Sequence, residues 1–514
     1  DTRALPRSDT TRSEACIAVT KNKTHAYGRA FFSLRRLNER NIKMEKTVQN
    51  TFLETEKTGK LMRKFALPCI VSLLVGALYN IVDQIFIANA DYLGSFGNAA
   101  NSVVFPMTVI ALAIATMIGD GCCAVTSINL GAKRPEKAEK GVGNAIFLLV
   151  SSGIVLAAIY LIFADPILKA FGATVNEETF EMSREYFFWI ALGVPFYMFG
   201  QGLNPIIRSD GSPTFAMISL LAGAVCNCIL DPIFIYTFKW GMAGAAIATV
   251  LGQIVSAILA FVYLFRLKTI KLKKSGFRLA AEPVKRMLAL GMTSFLSQIS
   301  IVLSMAAVLN ICRKYGALDP IFGQEQYAQI PTAVIGIVMK FFQIVISIAI
   351  GLAAGCIPIV GHNVGAGRND RVLELMKKMM FAEAAIGLVA TLIFELFPQP
   401  FVNIFGASGE SVYYTEFAIK CIRLYLCTLT LSCVNKGSFI FLQSLGNAVG
   451  STLLSLLREV GFGVGLALLL PVWFGLDGIL YFMAGGDVLT FIAVAVALVH
   501  TAKELKRADL TAKN

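Results

Sequence analysis

The sequence predicts an all-α polytopic membrane protein, with twelve transmembrane helices in two pseudo-symmetric six-helix bundles. Three observations lead to this fold class: an apolar composition, recurring apolar segments of membrane length, and an internal repeat. Of the 514 residues, 56% are hydrophobic and only 15% are charged, and the mean hydropathy is +0.67. A chain of this composition has too little polar surface for several soluble domains.

Apolar segments recur along nearly the whole chain, and each is long enough to cross a bilayer. A helix needs roughly 20 apolar residues to cross about 30 Å of hydrocarbon. We number the predicted segments span 1 to span 12. They are residues 64–88, 99–126, 138–163, 185–207, 213–237, 241–265, 286–311, 331–360, 376–397, 416–440, 449–471 and 477–500.

The net charge of +13 reflects basic residues that gather in alternate connecting loops. These loops lie near residues 60–64, 133–140, 266–286, 368–378 and 503–507. The opposite loops are acidic or neutral, as at Glu177, Glu178 and Glu410. By the positive-inside rule both termini are expected in the cytoplasm, which an even number of spans requires. Since no soluble domain carries the basic charge, we expect no nucleic-acid partner.

The N-terminal extension, residues 1–60, is polar and basic, and we expect it to be disordered. Residues 1–43 lack a long apolar core, so they are neither a transmembrane span nor a signal peptide. The chain begins with Asp1, and Met44 is a plausible translation start. We therefore expect residues 1–43 to be translated upstream sequence.

Cysteine and histidine usage argues against a disulfide framework, a metal centre and a cofactor. The 11 cysteines are scattered, mostly inside spans, and the three histidines are far apart in sequence. An intramembrane enzyme is disfavoured as well, because the chain has neither an H-E-x-x-H motif nor a G-x-S-x-G motif.

The two halves of the chain repeat at one constant spacing. Gly121 and Cys122 match Gly355 and Cys356, for example, and the same spacing matches Gly131 with Gly365. One spacing that holds over such a long stretch indicates a duplicated six-helix unit.

This repeat predicts the domain organisation. We expect a first bundle at 61–265, a cytoplasmic linker at 266–285, a second bundle at 286–502 and a cytoplasmic tail at 503–514. Because six is an even number, both copies enter the membrane in the same sense. Two parallel bundles around a central cavity form a transporter architecture.

A carboxylate and an amide lie one helical turn apart inside span 5, at Asp231 and Asn227. Ionisable residues inside a bilayer are costly, and they usually face a partner, a cavity or a transport path. At the repeat spacing, the matching positions in the second half are Gly461 and Gly465, so the second half has no equivalent pair. The polar site is therefore predicted to belong to the first half.

Depth counting adds two residues to this predicted site. Asp83 and Asp231 lie at nearly the same number of residues from the cytoplasmic ends of spans 1 and 5, so they are roughly level. Thr249 lies just over two helical turns from the outer end of span 6. If spans 1, 5 and 6 adjoin, Asp83, Asn227, Asp231 and Thr249 form one oxygen-rich cluster.

Three roles are open for this cluster. Two nearby carboxyl groups titrate as a unit and can carry a proton. Oxygens of Asp, Asn and Thr can instead bind a sodium ion. The structural alternative is that Asp231 only forms a hydrogen bond where Pro232 disrupts the helix.

Five further charged residues lie within or near spans. For each of them, a structural ion pair or an interfacial position is preferred to a role in transport. They are Asp120, Glu383, Arg458, Glu459 and Asp487.

Three segments resemble the multidrug and toxic compound extrusion (MATE) family of efflux transporters. They are ALPCIVSLLVGALYNIVDQIFIAN, SINLGAKR and GAVCNCILDPIFIYTFKWGMAGAAIAT, and the resemblance covers about residues 61–505. It implies twelve helices in two bundles. It also implies antiport of organic, often cationic, drugs against protons or sodium ions, with no cofactor.

The resemblance also implies roles for individual residues. In the branch that carries this motif, Asp83 of YNIVDQ, Asn227 and Asp231 of NCILDP and Thr249 of AIAT match ion-coupling positions. Another branch has an acidic residue in helix seven. Here TSFLSQISIV offers Gln298 instead, which argues against a cation site in the second half.

The LDP pattern resembles the bacterial branch, so we expect a monomer in the bacterial inner membrane. Its partners are then small-molecule drugs and membrane lipid. The alternative transporter is a flippase for lipid-linked precursors, which is expected to carry more basic residues in its cavity.

Overall fold

The computed structural model describes residues 52–90, 92–173, 177–324, 327–404 and 412–513. The predicted extension up to residue 51, with the segment 1–43, lies outside them. The described residues fold into helices joined by short turns, and no strand occurs among them.

Each predicted span corresponds to helical structure. Spans 1 to 6 are Thr58–Ala88, Gly94–Gly131, Pro135–Ile162, Glu177–Ser209, Pro213–Pro232 and Gly241–Leu264. Spans 7 to 9 are Ala281–Gly316, Ile330–Gly365 and Asn369–Leu396. Span 10 is Val412–Leu426 with Leu429–Ser444, span 11 is Ala448–Leu456 with Gly465–Phe474, and span 12 is Gly478–Lys513. Short helices Ala164–Ala170 and Pro398–Ile404 follow spans 3 and 9.

Within the described ranges, 11 helical stretches are long and apolar enough to cross a membrane. The last, Ala448–Ala508, has 61 residues and contains spans 11 and 12. A straight helix of this length would measure about 90 Å, three times the hydrocarbon thickness. Instead, the chain turns at Gly475–Asp477, where Gly475 has a φ of +57° that favours glycine. The predicted class, an all-α polytopic membrane protein, is confirmed.

The last residues of the predicted N-terminal extension are in contact with span 9. Leu53 is buried, and its carbonyl accepts a hydrogen bond from Arg371 at 3.2 Å. The Thr58 hydroxyl donates to Glu374 at 2.7 Å. The prediction of disorder was therefore wrong for residues 53–60, because polar side chains of span 9 bind this segment.

The contacts between the two halves follow the repeat. Span 2 packs against span 7, and span 8 packs against span 1. The repeat spacing carries span 1 onto span 7 and span 2 onto span 8, so the two contacts are equivalent. The same interface is thus used twice, as a duplicated unit requires.

Glycines matched by the repeat lie where helix backbones of the two halves touch. A Cβ on Gly131 would lie 2.0 Å from the His362 carbonyl oxygen, and one on Gly365 would lie 2.0 Å from the Ile128 carbonyl oxygen. Spans 2 and 8 are therefore in backbone contact at this end, next to the basic loops. Small residues allow helix backbones in membranes to approach this closely.

The same relation holds at the other matched pair. A Cβ on Gly121 of span 2 would lie 2.0 Å from the Met287 carbonyl oxygen of span 7. A Cβ on Gly355 of span 8 would lie 2.6 Å from the Cα of Ala66 in span 1. The repeated glycines found in the sequence are thus the contact points of the two halves.

The linker between the halves is bound to the first half. The backbone N–H groups of Lys268 and Thr269 each donate to the carboxylate of Asp210 at 2.7 Å. Asn144 of span 3 donates to the Gly276 carbonyl at 3.1 Å. The linker therefore follows the first half closely instead of forming a loose loop.

We predict that Gly131→Ala forces spans 2 and 8 apart and destabilises the protein by about 1–3 kcal/mol, the usual cost of overpacking. Thermal unfolding in detergent measures this loss. The matched control is Gly336→Ala on span 8, because a Cβ there meets nothing within 4 Å. Equal melting temperatures for the two variants would contradict the proposed backbone contact.

Candidate functional site

An amide joins spans 5 and 6 at the predicted site. The Asn227 Nδ2 atom donates to Asp231 Oδ1 at 3.1 Å and to Thr249 Oγ1 at 3.3 Å. All three side chains are buried, and Asp231 is 0% exposed. Three of the four predicted site residues are thus in direct contact.

Pro232 disrupts span 5 without ending it. The α-helix runs to Pro232 and continues as a π-helical turn, Ile233–Thr237. Proline lacks the N–H that the regular helix needs, and wide turns of this kind frequently occur at functional sites. Among the described residues, Asp231 Oδ2 has no hydrogen-bond partner. If Asp231 only formed a hydrogen bond at the disrupted helix, a second buried oxygen without a partner would cost stability and serve no purpose. The free oxygen therefore argues against a purely structural role for Asp231.

Asp83 enters the site from span 1, which packs against span 5. It is 5% exposed, and Asn101 of span 2 donates to its Oδ2 atom at 3.4 Å. Asp83 lines the same cavity as Thr249, to which Asn227 is hydrogen-bonded. The predicted cluster of spans 1, 5 and 6 therefore forms, with span 2 as an additional contributor.

Asn101 was missed by the sequence reasoning. The predicted span 2 begins at residue 99, which places Asn101 at the membrane surface, where a polar side chain is ordinary. The helix in fact begins at Gly94, so Asn101 lies two turns inside it. Asn101 lies at about the same depth in the membrane as Asp83, and this was the signal that could have identified it.

Three buried oxygens of this site have no hydrogen-bond partner among the described residues. They are Asp83 Oδ1, Asn227 Oδ1 and Asp231 Oδ2. A buried acceptor without a donor costs about 1–3 kcal/mol. Each orphan is an acceptor, so the site is suited to a proton or to a hard cation with oxygen ligands. No group of three or more His, Cys, Asp or Glu that could hold a metal was found in the described part of the chain.

A cavity of about 90 Å³ opens beside Asp83 and Thr249, between the two halves. One water occupies about 30 Å³, so the space holds a few waters or an ion. Pockets for drug-sized ligands begin at about 300 Å³. The second half lines this cavity with Gln298 and Gln343, so the position where another branch has an acid here presents an amide.

The second half contains charged residues of a different kind. Arg458 donates to Asp487 at 2.7 Å, and Lys436 forms an ion pair with Glu459. These residues are buried, and each charge has a counter-charge. The preferred interpretation of Arg458, Glu459 and Asp487 as structural ion pairs fits this arrangement. Sequence reasoning missed Lys436, although a lysine inside an apolar segment was visible.

The two remaining charged residues of the five are Asp120, which has a hydrogen-bonded counter-charge, and Glu383, which has no hydrogen-bond partner among the described residues. Arg208 of span 4 donates to Asp120 of span 2 at 3.3 Å, and Ser294 of span 7 donates to the other Asp120 oxygen at 2.9 Å. Asp120 thus links the first half to the second. Glu383, in span 9, is 0% exposed, and neither of its carboxyl oxygens has a hydrogen-bond partner among the described residues.

Membrane-spanning helices in two related halves, with a cavity between the halves and a cluster of unpartnered buried oxygens beside it, define a membrane transporter. The MatE family model matches residues 68–233 and 325–469, more than half of the chain. The chain therefore belongs to the MatE family, the multidrug and toxic compound extrusion transporters that its motifs resemble. The family assignment makes it a transporter rather than an enzyme.

Comparison with known proteins agrees with this assignment. The chain is 25% identical over 479 residues to the multidrug export protein MepA of Staphylococcus aureus, covering 90% of this chain and 98% of MepA. It is also similar to the solved structure of MATE in the straight conformation, with a TM-score of 0.80 and 23% identity, covering 89% of this chain and 99% of that one.

A third match is a multidrug resistance MATE family transporter of the MOP superfamily, solved in an outward-facing conformation. Its TM-score is 0.80 at 23% identity, covering 89% of this chain and 99% of that chain. These two structures support the fold of the whole membrane region.

We predict that Asn227→Leu leaves Asp231 and Thr249 without their shared donor and destabilises the protein by about 1–3 kcal/mol. The matched control is Asn89→Leu at the end of span 1, because Asn89 is exposed and its amide donates to the Ile85 carbonyl of its own helix. Thermal unfolding in detergent compares the two. If both variants unfold like the wild type, the Asn227 bridge does not stabilise the site.

Proposed function

We propose that the protein is a secondary active antiporter that exports organic drugs, often cationic, in exchange for protons or sodium ions. The observation that supports this most is the set of three buried acceptor oxygens at Asp83, Asn227 and Asp231. Membership of the MatE family and the similarity to MepA, a multidrug export protein, support drugs as the exported class.

The proposed ion-coupling residues are Asp83, Asn227, Asp231 and Thr249. In proton coupling, the two carboxyl groups bind and release protons as a pair, and Asn227 orients Asp231. In sodium coupling, both aspartates stay ionised, and the amide and hydroxyl oxygens complete the ligand set. Either ion neutralises carboxylates that are costly to bury uncompensated.

Transport then requires the two halves to open alternately to the two sides. We propose two bundles, at 61–265 and 286–502, which are joined by the linker 266–285 and followed by the tail 503–514. The bundles rock about the contacts of span 2 with span 7 and of span 8 with span 1. The bound ion can shift this equilibrium only if its affinity differs between the two conformations. Asp83 lines the cavity between the halves, so its surroundings change when the halves move. Its affinity for the ion is therefore expected to differ between the two conformations.

For its setting, we propose a monomer in a bacterial inner membrane with both termini in the cytoplasm. The alternating basic loops support the orientation. Exposed apolar side chains such as Ile154, Ile229, Phe381 and Val472 supply the surface for lipid.

A flippase for lipid-linked precursors is less well supported than drug export. The side chains that line the cavity are acidic, amide, hydroxyl or apolar, and none of them is Lys or Arg. A phosphate-bearing precursor requires cationic partners. The acidic lining at Asp83 instead favours positive charge.

We predict that Asp83→Asn and Asp231→Asn each lower ion-driven transport by roughly tenfold or more, which corresponds to about 1.4 kcal/mol per factor of ten. Purified protein in lipid vesicles is given ethidium under a proton gradient alone and then under a sodium gradient alone. Glu181→Gln, at an exposed position, is the control.

The gradient that drives ethidium movement identifies the coupling ion. Transport by both aspartate variants at the wild-type rate would show that the coupling residues are wrongly assigned. Absence of ethidium movement under either gradient, with the protein correctly inserted, would argue against the antiporter.

A further inference from the structure

Glu383 is an acid in the interior of the second half that lies apart from the proposed ion site. It lies in the middle of span 9, is 0% exposed, and both carboxyl oxygens lack a hydrogen-bond partner among the described residues. Nearly all buried polar groups in proteins are hydrogen-bonded, and an isolated buried carboxylate becomes neutral instead of remaining charged. The environment therefore favours the neutral, protonated form of this side chain.

The side chain of Glu383 packs against a glycine of the neighbouring helix. A Cβ on Gly437 of span 10 would lie 2.7 Å from Glu383 Cγ and 3.1 Å from Glu383 Oε1. The carboxyl group thus occupies a notch that exists because position 437 is glycine.

No counter-charge reaches this notch from the described residues of spans 1, 8, 10 and 12, which pack against span 9. The titratable groups that face Glu383 are the thiols of Cys356 in span 8 and Cys433 in span 10. The neighbouring cation, Lys436, is bound to Glu459.

The repeat shows that an acid is not needed here for packing. At the repeat spacing, the position that matches Glu383 in the first half is Leu149 of span 3. Leu149 also packs against a glycine of the following helix, since a Cβ on Gly202 would lie 2.2 Å from Leu149 Cδ2. In the first half an apolar side chain thus packs against a glycine of the following helix, and the glutamate in the second half costs stability that leucine would not.

We propose that Glu383 is a second proton-binding site of the transporter, in the second half of the molecule. In this proposal the carboxylate takes up a proton from water at one stage of the transport cycle, and the resulting acid returns it to water at another. The proposal rests on the proposed ion-coupled transport, to which it adds a proton site separate from the pair Asp83 and Asp231.

The first test is infrared spectroscopy of the purified full-length protein, which detects the C=O stretch of a protonated carboxylic acid. We expect a band from an acid without hydrogen bonds in the wild type, in Asp231→Asn and in the control Glu395→Gln on the same span. The band is lost in Glu383→Gln and in Glu383→Leu. Persistence of this band in both Glu383 variants would overturn the proposal.

The second test counts protons exchanged per ethidium in vesicles. We expect a lower count for Glu383→Gln and Glu383→Leu than for the wild type or Glu395→Gln. Glu383→Leu is expected to melt at or above the wild-type temperature, because Leu149 stands at the matching position in the first half. An unchanged proton count, or transport driven by sodium with no proton exchanged, would overturn the proposal.

The outcomes separate this inference from the proposed function. If Asp231→Asn abolishes transport while both Glu383 variants behave like the wild type, the antiporter stands and the second site fails. If both aspartate variants transport normally while the Glu383 variants exchange fewer protons, the first-half assignment fails and the second site stands.

Discussion

The direct backbone contact between the two halves is the constraint on which the rest of the structure depends. Spans 2 and 8 touch through Gly131 and Gly365, and any side chain larger than hydrogen would collide with the opposite carbonyl oxygen. Without a hydrophobic effect between helices in lipid, close packing of this kind is what holds helices together. Because the repeat places a glycine on each side, the same geometry is formed twice.

On this symmetric scaffold the polar residues are distributed asymmetrically. The first half contains acids with unsatisfied oxygens, at Asp83 and Asp231, whereas Asp487 and Glu459 in the second half are neutralised by built-in cations. A buried pair of opposite charges needs no ion from outside, since its Coulomb attraction offsets part of the desolvation cost. In the proposed mechanism, the first half binds an ion from outside at Asp83 and Asp231. In the second half, Glu383 is the one acid proposed to do so.

The sequence was sufficient to predict the twelve spans, to place Asn227 and Asp231 on one face of span 5 and to place Thr249 at a similar depth, because helical periodicity determines which residues share a face and a depth. It could not reveal Asn101, Arg208 or Lys436 as partners. Those contacts depend on which helices are neighbours and on how they are rotated, and tertiary packing alone decides both. The order of residues 53–60 was missed for the same reason, since Leu53 is bound by Arg371, which is distant in sequence.

Because the linker is bound to the first half, only a short part of it is free to act as the connection between the two bundles. From Lys268, held by Asp210, to Ala280, whose N–H donates to Asn144 at 2.9 Å, the linker is hydrogen-bonded to the first half at intervals. A free linker of this length would permit large and poorly directed excursions. With these anchors in place, the effective hinge shortens to the few bonds before span 7 begins at Ala281. In the proposed rocking motion, the amplitude and direction are then set by one short pivot rather than by a flexible chain.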